Sequence, residues 1–234
     1  METAMKKKLF LILNIIIAAM CYAGNYFYLS DPGIELKSTA SLCFALLGAV
    51  NLVYAIVCKL RGDSLRFPLT MAIGLVMGML GDIFIYYNFV AGAAFFAVAH
   101  ISFLCSYFFI CSFSRRDLII IAIIFVPSAI FLLFSPALTF KVPAFKWVCL
   151  VYGFILCCMA GKAVSVFTIK RTTVTTILLI GSVLFFFSDF MLLLDWFMDA
   201  GRTISLLCMV AYYPAECTLA HSVFAYSHKV KISS

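Results

Sequence analysis

The chain has 234 residues, 65% of them hydrophobic and 12% charged, with a mean hydropathy of +1.14. A soluble domain is about half apolar and about a quarter charged, so these proportions exclude a soluble fold. They describe an all-α integral membrane protein, a polytopic helix bundle forming a single transmembrane domain over residues 1–234. The formal charge of +7 is no nucleic-acid signal, because the basic residues stand at helix ends.

A membrane-crossing helix needs about 20 mostly apolar residues. The first such run, 9–28, follows the basic stretch Lys6-Lys7-Lys8. Tyr22-Ala23-Gly24-Asn25 makes a poor cleavage site, so this helix is expected to be retained rather than removed as a signal. Asp31-Pro32-Gly33 is a turn, and the second span, 38–58, runs into a loop bearing Lys59, Arg61, Asp63 and Arg66. Spans 67–87 and 91–113 are joined by almost nothing. Span 118–134 follows Arg115-Arg116-Asp117 and carries Pro127, which is expected to kink it. A longer connection with Pro136 and Pro143 precedes spans 147–167, 175–194 and 203–226, which complete a bundle of about eight.

The basic residues divide unevenly between the two sides. With the N-terminus inside, 13 of the 17 fall on that side, Lys162 among them, and Lys37, Lys141, Lys146 and Arg202 on the other. The positive-inside rule then places both termini in the cytoplasm. A bacterial inner membrane and an endoplasmic reticulum membrane fit this reading equally. The cysteines lie mostly within apolar runs and form no C-x-x-C pair, so neither required disulfides nor a cysteine metal site is expected.

Acidic residues in the membrane are costly and usually functional. Glu2, Asp31, Glu35, Asp63, Asp117 and Asp199 read as solvated tail or loop charges, and Asp195 lies at a helix end. Asp82, Asp189 and Glu216 fall at depth, with His100 on a returning helix near their level and His221 closer to the cytoplasmic end. Gly74, Gly78 and Gly81 share a helix face that lets a neighbour come close, which turns Asp82 toward protein. A short echo relates the third and seventh spans. Gly181 precedes Asp189 by the same eight positions that separate Gly74 from Asp82. Six positions after each aspartate stands a polar–aromatic pair, Asn88-Phe89 and Asp195-Trp196. Such repeats in membrane proteins often place a site at their interface.

Two carboxyl groups close together in an apolar site can hold one proton between them, leaving a general acid beside a carboxylate. That suits acid–base chemistry. It equally suits proton-coupled movement of a small molecule or lipid, or binding of one. Glycine-rich phosphate loops, G-x-S-x-G and H-E-x-x-H are all missing from the sequence.

The sequence resembles the YhhN family of membrane proteins, which includes the animal lysoplasmalogenases. The resemblance is carried by Gly81-Asp82, Phe89-x-x-Gly92-x-x-Phe95-x-x-x-x-His100, Gly181-x-x-x-x-x-x-Ser188-Asp189 and Tyr212-Tyr213-x-Ala215, and covers roughly residues 67–226. Glu216 stands where the family's glutamine is expected, and Phe103 where a tyrosine is usual. The resemblance implies hydrolysis of the vinyl ether bond of a lysoplasmalogen, a lysophospholipid drawn from the surrounding membrane lipids, without metal or organic cofactor. It implies Asp82 and Asp189 as the acid–base pair, with His100 orienting one of them or relaying a proton. Tyr212, Tyr213, Glu216, Asn88 and Ser188 are the expected substrate-binding or supporting residues.

Overall fold

The computed structural model describes residues 2–198 and 201–233. Asp199, read above as a solvated loop charge, lies outside the described residues, as do the side chains of Glu2 and Lys231. Eight helices follow one another, all long and apolar enough to cross a membrane, with no strand among the described residues. They are α1 (Glu2–Ser30), α2 (Ile34–Val57), α3 (Asp63–Tyr87), α4 (Phe89–Ile110), α5 (Arg115–Phe134), α6 (Pro143–Ile169), α7 (Thr173–Phe197) and α8 (Arg202–Ser233). A multi-pass membrane protein is the architecture these helices build.

Local chemistry sets the helix ends. The third and fourth spans meet at one residue, Asn88, which is extended and accepts a hydrogen bond from the Ala91 amide at 3.0 Å. Its side chain thereby satisfies one of the amide groups that open a helix. Asp117 does the same for α5, accepting from the Ser114 amide at 2.9 Å. Lys7 and His228 meet at 2.9 Å, which brings the N- and C-terminal ends of the chain to one end of the bundle.

The helices pack in an order that repeats. Within the first half α1 lies on α2, α2 on α3 and α3 on α4; within the second, α5 lies on α6, α6 on α7 and α7 on α8. Across the halves α2 packs on α8, and α6 packs on α4. Shifting every label by four converts one set into the other. The symmetry fails in one place. α8 also packs closely on α3 and α1, whereas among the described residues α4 reaches α7 through side chains alone, His100 to Asp189 at 3.1 Å and Tyr107 to Ser182 at 2.7 Å. The second half is therefore left with a gap that the first half has closed.

Asp117, read as a solvated charge, is buried together with Lys162. Asp117 lies in the first turn of α5, not in a loop, and both it and Lys162 have side chains only 1% exposed. Lys162 Nζ donates to Asp117 Oδ2 at 2.7 Å and to the Ser112 carbonyl at 2.8 Å, and lies over the Phe108 ring at 4.6 Å. The pair ties the start of α5 to α6 and the end of α4. Lys37 is likewise no loop charge, because α2 begins at Ile34, four residues before the expected span.

Candidate functional site

The two deep aspartates form separate clusters with no hydrogen bond between them. Asp82, on α3, is 2% exposed. Its Oδ2 accepts from Ser41 Oγ at 2.5 Å and from the Tyr212 hydroxyl at 2.9 Å, and its Oδ1 lies 3.2 Å from Lys37 Nζ. Lys37 and Ser41 come from consecutive turns of α2, while Tyr212 comes from α8. Asp189, on α7, has different partners. Its Oδ2 accepts from the Tyr152 hydroxyl at 2.5 Å and lies 3.1 Å from His100 Nε2. Tyr152 and His100 are 3.2 Å apart and close a triangle around that oxygen.

The partner sets obey the repeat of the fold. Asp82 is held from α2 of its own half and α8 of the other; Asp189 is held from α6 of its own half and α4 of the other. Phe185 stands between the clusters. Its ring meets His100 edge-on at 4.6 Å and Tyr212 edge-on at 5.5 Å.

Glu216 completes the buried acids. It is fully enclosed on α8, and neither carboxyl oxygen has a hydrogen-bond partner. The side chain lies where α8 crosses α3, so close to Gly78 that a Cβ there would come within 2.6 Å of Oε1. The shared glycine face of α3 admits more than one neighbour, since Gly81 packs on Phe96 of α4. Tyr213 is also enclosed, with its hydroxyl unpartnered.

Two cavities reach this region. An apolar slot of about 870 Å³, counted out to its mouth, lies in the gap between α4, α5, α6 and α7. It extends from Trp196 and Phe197 to Phe125 and Cys157, and among the described residues Asp189 is its one charged lining residue, accompanied by Tyr152. The second cavity is a wider, more polar vestibule of about 1410 Å³ at the end away from the termini. Lys37 and Arg202 are its basic lining residues and Asp195 its acid. Ile85, Leu192 and Trp196 line both cavities, so the two adjoin. Asp82 lines neither, but its partner Lys37 lines the vestibule.

Other expected residues have local roles. Asn88 is exposed and caps α4. Ser188, next to Asp189, is buried and faces Cys208 Sγ at 3.5 Å. His221 is partly buried and lies 3.4 Å from Asn14, which exchanges hydrogen bonds with Asn51. Sequence reasoning missed Lys37, Ser41 and Tyr152. A Lys–Ser pair four residues apart at the head of a span, and a tyrosine inside the sixth span, were the available signals.

A family model described as the YhhN family matches residues 34–223. Neither the curated proteins nor the solved structures contain a match.

Proposed function

The chain belongs to the YhhN family, and on that premise we propose that it is an intramembrane hydrolase cleaving the vinyl ether bond of lysoplasmalogens. The observation that carries this reading is the apolar slot with one carboxyl group, Asp189, in its wall. Its almost wholly apolar lining suits a single alkyl chain. A chain lying there brings its first carbons past the Asp189–Tyr152–His100 triangle.

Asp189 is the residue proposed to meet the reacting atoms. In its acid form it gives a proton to the vinyl carbon remote from the ether oxygen. The double-bond electron pair becomes the new C–H bond, and an oxocarbenium ion forms across the remaining carbon and the oxygen. The Asp189 carboxylate then faces the cation, as in glycoside hydrolysis. Water adds to the cationic carbon and returns a proton to Asp189. The resulting hemiacetal loses its C–O bond while its hydroxyl proton passes to the leaving oxygen. One water is consumed, and a fatty aldehyde and a glycerophospho-alcohol leave.

Tyr152 and His100 both engage Oδ2 of Asp189, which leaves Oδ1 for the transferred proton. Tyr152 and His100 hold the carboxyl group in place. His100, with Nδ1 enclosed and unpartnered, is suited to passing a proton between Asp189 and the arriving water. Asp82 takes a supporting part through Lys37 and Tyr212.

The test is aldehyde release from a lysoplasmalogen by purified protein in detergent, with Asp189→Asn alongside. Aldehyde from the wild type and none from a folded Asp189→Asn variant is the expected result. A second reading, proton-coupled movement or binding of a small molecule or lipid, draws on the repeated packing with one buried carboxyl group in each half. Silence of a folded wild type across a panel of ether and ester lipids would move the assignment there, to be pursued by uptake into proteoliposomes.

A further inference from the structure

The vestibule holds chemistry that the proposed cleavage does not use. Its wall includes the first turns of two long helices, Ile34 and Lys37 of α2 and Arg202 and Ser205 of α8. Such ends carry a partial positive charge and unpaired amide donors. The N-cap of α2 is Gly33, which has no side chain to satisfy those amides. Among the described residues, the vestibule's two basic lining residues belong to these same turns. Arg202 is braced by one hydrogen bond to the Leu29 carbonyl at 3.0 Å, which leaves most of its donors available. Lys37 is 12% exposed and reaches down to Asp82. Asp195, the single acid of the lining among the described residues, is already engaged by Ser205 Oγ.

We propose that Lys37 and Arg202 form a phosphate-binding subsite, which holds the headgroup of a single-chain lipid whose tail lies in the adjoining slot. The identity of the tail rests on the function proposed above; the anion site stands on the vestibule alone. The shared lining residues Ile85, Leu192 and Trp196 let one lipid enter both cavities. Asp189 lies two helical turns, about 10 Å, below Trp196 at the junction. Lys37 gives the subsite a second property, since its ammonium faces both the vestibule and Asp82. A bound phosphate therefore shares a cation with the buried carboxylate.

The test is binding to the full chain in detergent, read as a ligand-dependent rise in melting temperature. The probes are a lysophosphatidylcholine, a monoacylglycerol of the same chain length, and inorganic phosphate. The phospholipid is expected to bind at least about tenfold more tightly than the monoacylglycerol, the scale of one charge-assisted contact. Arg202→Gln is expected to erase most of that preference and Arg202→Lys to restore part of it. Lys37→Gln is expected to act in the same direction. Equal binding of the two lipids to the wild type, or an unchanged preference in a folded Arg202→Gln variant, overturns the subsite. Stabilisation by inorganic phosphate matching that of the phospholipid overturns the lipid assignment and leaves a free-anion site. A retained preference without aldehyde release sinks the hydrolase and spares the subsite; aldehyde release without a preference does the reverse.

Discussion

Asp82 and Asp189 occupy equivalent places in the two halves of the bundle, but only Asp189 lines the apolar slot. On the Asp82 side α8 packs against α3, with Glu216 filling the crossing. On the Asp189 side the corresponding helices, α4 and α7, meet through side chains alone among the described residues, and the slot lies in the wider space beside them. One architecture thus provides a closed, ion-paired carboxylate and an accessible one.

Substitution should separate the two. Asp189→Asn is expected to lower aldehyde release by about 10²-fold or more while the melting temperature stays near that of the wild type. Asp82→Asn strips Lys37 of its counter-charge, and losing one member of a buried pair costs about 3 kcal/mol or more. Thermal unfolding in detergent should show that loss, and the Asp82→Asn, Lys37→Gln double variant should lose less than the two single variants combined. Equal destabilisation by both asparagine variants would count against the division of roles.

Gly153 offers a direct probe of the slot. It lines the cavity, and a Cβ placed there meets nothing within 4 Å. Gly153→Leu is therefore expected to fold and to shorten the space for a chain. The measured outcome should be a KM that rises with chain length, steeply for long-chain substrates and little for short ones. A uniform change across chain lengths would place the tail elsewhere.

The fold was readable because each span is a long apolar run bounded by charges or turn residues. Eight runs became eight helices, and even the near-absent third loop reduced to Asn88. Asp82, Asp189 and His100 stood out because a titratable group in an apolar run has few bland explanations. The pairing did not follow from the same pattern. Depth along a helix says nothing about which neighbour stands beside it, so two acids at one level were read as partners although Phe185 and Tyr212 lie between them. Lys37 was misread for a related reason. The helix starts one turn before the apolar run, and a long side chain reaches down from the rim.

Glu216 should tolerate loss of its charge. Both oxygens lack partners in a fully enclosed site, and burying an uncompensated carboxylate is far more expensive than burying an amide of the same shape. Glu216→Gln is expected to keep the fold and raise the melting temperature, whereas Gly78→Ala, which pushes a methyl group into Oε1, lowers it. A fall in melting temperature with Glu216→Gln would mean that the acid has a bonding role.

The Asp117–Lys162 pair predicts an asymmetric outcome. Asp117→Ala leaves the Lys162 ammonium enclosed beside Phe108 and is expected to cost about 3–5 kcal/mol. Replacing both, as Asp117→Leu with Lys162→Met, should recover most of that loss in the same thermal assay. Failure to recover would assign the pair a specific orienting role at the start of α5.

Among the described helices α5 packs closely on α6 and meets α7 through Phe131 against Phe190, and little of its surface is covered. A single helix therefore divides the slot from the surrounding acyl chains. A lipid tail crossing that partition leaves one hydrocarbon solvent for another. Burial from water, which would be worth about 0.8 kcal/mol per methylene, cannot contribute to its affinity. Discrimination among the crowd of membrane lipids must then come from the polar end of the molecule, and the tail can do little more than report its length.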